Sequence, residues 1–240
     1  MSTSTESGYA LFARFAFPPN ELGYCGPADT GTLLGDHDAD AHETHAQAFD
    51  GAWPYLNAIA EAVDDDPLAE EVVRTYWVGG PLLDKVDPTA LQHRLRSAFT
   101  GQVTSLLDAL PDGQALAHHS FHVFVVYPWV RFLDRDPVTP LQVLQDCRIR
   151  WGTVEAVEDD RATIVSRPLS YLDGRLRLGD PGVERVTWRK GGTTLAPAPV
   201  PGETVAAHWD WLCGSLTESE TAALAAATQA TLDLVNDARS

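Results

Sequence analysis

Sulfur is scarce in this chain, with three cysteines and one methionine among 240 residues. Cys25, Cys147 and Cys213 are too few and odd in number for a disulfide framework, so free thiols and a reducing, cytoplasmic setting are expected. Positive charge is scarce as well. Lys and Arg total 17 against 34 Asp and Glu, a formal net charge of −17. Such a surface repels phosphate backbones and anionic bilayers, which argues against nucleic acid and membrane partners. Long apolar runs are missing. The longest, FHVFVVYPWV from Phe121 to Val130, falls far short of the ~20 residues that a bilayer crossing takes. The N-terminal stretch has neither the basic start nor the apolar run of a secretory signal. There is no phosphate loop, no Gly-x-Ser-x-Gly and no dinucleotide fingerprint.

What is present divides near residue 140, where DRDPVTP has linker chemistry. Residues 1–140 read as a helical domain with a long N-terminal loop. FPPNELGYCGPADTGTLLGD is rich in Gly, Pro, Asn and Asp and reads as that loop, after at most a short helix. Helical spacing begins near Asp38, and Pro54 is expected to kink or split that helix. PLAEEVVRTYWVGG has Pro at its start and Gly at its end, the usual asymmetry of a helix. DPTALQHRLRSAFTGQVTSLLDAL has Asp87 as N-cap, Pro88 in the first turn and apolar residues at helical period as far as Leu110. ALAHHSFHVFVVYPWVRFL reads as a central helix, and TPLQVLQDC as a short one. Residues 141–240 then change texture. IRWGTVEAV, RATIVSRPL, RLRLGD, ERVTWR and ETVAAHWDW are short and β-branched between turn signals, which predicts five strands. The tail after Thr217 is a helix, with Thr217 and Glu220 as a capping box. The expected fold class is α+β.

Two groups of residues carry metal-ligand chemistry. Cys147 precedes the first predicted strand and His208 lies in the last one. A thiolate with an imidazole suits a borderline-soft ion such as iron or zinc. As two ligands they make half a site. The second group lies in the helical domain. His118 and His122 stand at i, i+4 on one helix, with His119 between them, and Cys25 sits between Gly23 and Gly26 on a loop. No Glu lies within the histidine run, so it is not a zinc-peptidase motif. His37, His42 and His45, among acids in DHDADAHETH, read as a solvated helix start. Cys213 reads as a buried filler.

Residues 141–240 also resemble the HypC/HupF family of nickel–iron hydrogenase assembly chaperones. CRIRWGTV keeps Cys147, Gly152 and Val154 at the family's Cys-x-x-x-x-Gly-x-Val spacing. GETVAAH keeps Gly202, Glu203, Val205 and His208 of its later strand, and LTESE keeps Leu216 and Glu220. The chain departs from the family in carrying this Cys inside the sequence, after Asp146, and Trp151 where the family has Pro. The resemblance implies a small five-stranded, OB-like barrel with a C-terminal helix. It implies a non-catalytic carrier or scaffold for an Fe(CN)2CO fragment, with Cys147 as iron contact and His208 beside it. The implied partners are the hydrogenase large-subunit precursor and other maturation proteins. Two other readings stand beside it. One is a metal-dependent enzyme using the Cys25 and histidine site; the other is a metal-free interaction module.

Overall fold

Helix α1, Gly8–Glu21, begins where Ser7 accepts a hydrogen bond from the Ala10 N–H. In the computed structural model, which describes residues 7–29, 31–35 and 39–240, this helix extends to Glu21, into the first residues of the stretch expected to be loop. The apolar run Leu11, Phe12, Phe15, Ala16 and Phe17 is buried on nearly every side, and that burial outweighs the helix-breaking character of Pro18 and Pro19 in the last turn. Its far end is tied to the barrel, where the Trp211 indole donates to Glu21 (3.0 Å) and Lys190 pairs with the same carboxylate (2.7 Å).

Helices α2 (Ala39–Gln47) and α4 (Glu70–Trp77) pack on α1, α3 (Trp53–Val63) packs on α4, and α5 (Pro88–Ala98) packs on α3. Pro54 does split the predicted helix, taking the first turn of α3. Asp87 caps α5 through the N–H groups of Thr89 and Ala90. The expected continuation of α5 to Leu110 fails. Its C-cap is Phe99, and Gly101 follows with φ of 79°. Leu107 and Leu110 reach the core from loop instead.

The expected central helix is broken into three pieces: a single turn α6 (His119–Phe121), a π-helical turn over His122–Val126 and a 3-10 turn over Pro128–Phe132. It is central, since Phe121, Val123, Phe124 and Val125 are fully buried. Pro128 ends the π-helical turn by removing a donor. Helix α7, Val138–Cys147, leads into the sheet region as expected.

The strands are β1 (Arg150–Val157), β2 (Arg161–Ser166), β3 (Leu169–Leu172), β4 (Arg175–Leu178), β5 (Gly182–Thr187), β6 (Thr204–His208) and β7 (Trp211–Ser215). Five of them close a barrel in the order β1-β2-β5-β7-β6. Strand β4, RLRL, is not a barrel member. It pairs with β3 as a separate hairpin held to the tail helix by Asn236, whose side chain bonds both the N–H and the carbonyl of Leu176. The predicted last strand, ETVAAHWDW, is two strands, β6 and β7, turning at Trp209 with φ of 50°. Alternation places Val154, Ala162, Ile164, Val186, Val205 and Leu212 inside the barrel.

Helix α8, Glu218–Ala238, starts at the Thr217–Glu220 capping box. It packs back onto the helical region. Glu220 pairs with Arg74 (2.7 Å), and Ser120 bonds the Thr231 hydroxyl (2.8 Å). One hydrophobic cluster takes in Phe12, Tyr76 and Phe124 as well as Cys147, Trp209, Leu224 and Val235, on both sides of residue 140.

Candidate metal centre

Three elements end at one point. His119 is in α6, Cys147 is the last residue of α7, and His208 is the last of β6. All three are buried, and each offers a ligand atom within 4.8 Å of the other two. One member of the histidine run in the helical region therefore joins Cys147 and His208. The whole of the first sequence-derived pair and one residue of the second group make one cluster.

The arrangement has local causes. Pro19 lacks the N–H that would close a helical bond to the carbonyl four residues back, that of Phe15. The His208 Nδ1–H takes the place of that donor, 2.7 Å from the Phe15 oxygen. This bond fixes the tautomer and leaves Nε2 with the lone pair. Nε2 of His208 is buried and has no hydrogen-bond partner. An orphaned imidazole nitrogen beside a thiol is what a soft cation requires.

His119 is held differently. Its Nε2–H donates to the Cys147 carbonyl (2.9 Å), and its Nδ1 faces the Tyr76 hydroxyl (3.1 Å), which also lies 3.0 Å from the Gly51 carbonyl. A metal bound by His119 displaces one of these bonds, a cost of about 1 kcal/mol. Trp77 lines the other side, with ring centroids 4.6 Å from His119 and 5.7 Å from His208.

Arg150 joins the elements that carry Cys147 and His208. Its guanidinium donates to the carbonyls of Gln145 (3.3 Å) and Asp146 (3.2 Å) at the end of α7, and to that of Trp209 beside His208. It also pairs with Glu184 on β5 (3.1 Å). A cation here meets the negative end of α7.

Burial sets the electrostatics. It pushes the Cys147 thiol far above its ordinary range, with nearby Cys25 and Asp146 adding to it; the Trp209 indole, which favours the thiolate, opposes it more weakly. Burial lowers His119 to about 4 and holds His208 well below the usual imidazole range, with the neighbouring His119 adding to the latter. Both imidazoles are neutral at pH 7 and offer lone pairs, while the thiol must lose its proton to a metal.

The remaining candidates separate. His118 turns away and caps α6, accepting from the Ser120 N–H (3.1 Å). His122 and Cys25 both line the inner cavity, about 30 Å³, that the cluster faces. They also line an outer cleft of about 460 Å³, sharing that wall with Tyr24, Gly51 and Tyr127. Cys213 is a buried filler whose thiol donates to the Trp211 carbonyl (3.6 Å). His45 and His42 pack on Tyr9 rather than on solvent, His42 stacked at 3.8 Å; His37 lies outside the described residues. Sequence reasoning missed Tyr76, Trp77, Arg150 and the Phe15 carbonyl. The Pro18–Pro19 pair was the one signal for the last of these.

Fold and site together define an α+β protein with a thiol and two imidazoles clustered where a helical region meets a small barrel. The chain belongs to the family of unknown function DUF6390, whose family model matches residues 4–240. No curated protein and no solved structure matches it.

Proposed function

We propose that this protein is a carrier or scaffold in the assembly of a nickel–iron hydrogenase, holding iron as cargo between His119, Cys147 and His208. The observation that carries the reading is the convergence of these three donors within 4.8 Å in a buried setting. The closed five-stranded barrel followed by a helix is the architecture that the HypC/HupF resemblance implies, and Cys147 and His208 stand at its matched positions. The added donor, His119, comes from outside the resembling part.

The donor set fits iron: one thiolate and two neutral imidazoles suit a borderline-soft divalent ion. The space fits less than the whole fragment. About 30 Å³ takes a bare ion or a single water. Two cyanides and a carbonyl do not fit beside the iron there, so an Fe(CN)2CO cargo requires the wall shared with the outer cleft to open. The same small volume argues against an enzyme acting on an organic substrate at this metal, because catalytic metals keep an open position for substrate or water. A metal-free interaction module is favoured by one observation, that both His119 nitrogens already have partners.

Co-expression with hydrogenase maturation proteins, followed by metal analysis and infrared spectroscopy of the purified chain, tests the reading. Stoichiometric iron with cyanide and carbonyl stretching bands, both lost in Cys147→Ser, is the expected result. A metal-free chain whose Cys147→Ser variant supports normal hydrogenase maturation would leave the interaction module standing instead.

A further inference from the structure

We propose that Cys25 and His122 form a loading site for a thiophilic transition-metal ion, in the wall between the outer cleft and the inner cavity, which passes the ion to His119, Cys147 and His208. The inference rests on the metal-centre reading above and adds the route by which the ion arrives.

Both residues line both cavities, so they stand between the 460 Å³ cleft and the buried cluster. His122 is 7% exposed, and its Nδ1 has no hydrogen-bond partner. It opens the π-helical turn, a wide turn of the kind found at functional sites. Its ring lies 6.4 Å from that of His119, centroid to centroid, one step from the inner cluster. Its Nε2 edge packs against Gly51, where an added Cβ would come within 2.9 Å. The bare glycine leaves that imidazole its place in the wall.

Cys25 is held there by its backbone. The Asn20 side chain donates to the carbonyls of Cys25 (2.8 Å) and Pro27 (2.7 Å) on either side of Gly26. Gly26 has φ of 81°, and a Cβ on it would lie 2.3 Å from the Phe49 ring. The Tyr127 hydroxyl donates to the Tyr24 carbonyl (3.0 Å) and closes the loop over the wall. A thiol and an orphaned imidazole thus sit at the mouth of a cavity whose floor carries another thiol and two imidazoles.

The transfer balances without redox chemistry. An aqua ion in the cleft exchanges water for the His122 lone pair and the Cys25 thiolate, whose proton goes to buffer. The ion then exchanges these for the inner donors. The Cys147 thiol gives up its proton, and Cys25 takes one back.

Stopped-flow mixing of the full-length protein with Co(II), followed by thiolate-to-cobalt charge-transfer absorption, tests this. The wild type should load in two phases. Cys147→Ser should keep the fast phase and lose the slow one. Cys25→Ser and His122→Gln should lose the fast phase and load about tenfold more slowly or worse. Gly51→Ala, which removes no ligand, should slow loading by pushing His122 aside. Wild-type loading rates in Cys25→Ser and His122→Gln, or loss of both phases in Cys147→Ser, overturn the loading site and leave the inner centre intact. Failure of the wild type to bind Co(II) at all overturns both.

Discussion

At the scale of single residues, the site depends on which nitrogen of His208 carries the proton. Pro19 decides this at a distance by leaving the Phe15 carbonyl for His208 Nδ1–H. Pro19→Ala restores a helical donor that competes for that oxygen. The expected outcome is a metal affinity about tenfold lower, as for other partners that orient a ligand, with nitrogen NMR reporting loss of the single tautomer. A normal tautomer and normal affinity in this variant would show that the bond is incidental. The thiol proton gives a second residue-scale prediction. Metal binding displaces it, while the neutral imidazoles release none, so affinity should rise about tenfold per pH unit between roughly pH 6.5 and 8. Isothermal titration in buffers of different ionisation enthalpy counts that proton.

The buried histidines also govern stability. Burial lowers His118 to about 3, His119 to about 4 and His122 to about 3, with His119 adding to the shift of the other two. In the unfolded chain each titrates near 6.5. Below that pH the unfolded state takes up protons that the folded state refuses. Their contribution is therefore complete above pH 6.5 and falls as the pH drops towards 4, by about 1.4 kcal/mol per pH unit for each histidine. A Tm that stays flat from pH 7 to pH 5 would contradict this.

At the scale of elements, termini matter more than interiors. The end of α7 supplies Cys147 and the end of β6 supplies His208, and Arg150 ties the two ends together through the neighbouring carbonyls of Gln145, Asp146 and Trp209. Arg150→Met leaves those buried acceptors without their donor. A loss of about 3 kcal/mol in denaturant unfolding is expected, since bonds from a charged donor are among the stronger ones. Within the barrel, Gly152 of the CRIRWGTV stretch has a physical reason to be glycine. A Cβ there would lie 2.6 Å from the Val165 carbonyl of the paired strand. Strand β4 shows where pattern reading fails. RLRL has strand texture, but period-two alternation does not say which sheet a strand joins, and Asn236 on α8 holds it outside the barrel.

At the scale of the whole molecule, the centre is a product of the junction. His119 and the Phe15 carbonyl come from the helical region, while Cys147 and His208 border the barrel. Residues 141–240 expressed alone lack two of the four groups that build the site. They also uncover Trp209, Cys147 and the face of α8 that packs on Ser120. That fragment should bind Co(II) without the second imidazole's contribution and should bind a hydrophobic dye. A fragment with the full-length affinity and no exposed apolar surface would show that the helical region is dispensable.

The sequence by itself determined the α+β class, the change of texture near residue 140, the split at Pro54, the Asp87 and Thr217 caps and the strand texture of β1, β2, β5 and β6, but not that RLRL lies outside the barrel or that ETVAAHWDW runs over two strands. These follow from periodicity, capping chemistry and turn residues, which act within a few positions along the chain. It also marked Cys147, His208, Cys25 and the histidine run as metal-ligating types. Only the tertiary structure decided that His119 would join Cys147 and His208, that His118 would turn away to cap a helix, and that Cys25 and His122 would stand in a wall between two cavities. Proximity between residues about ninety positions apart, as for His119 and His208, is set by how helices and barrel bury their apolar faces against each other, and no local pattern encodes it.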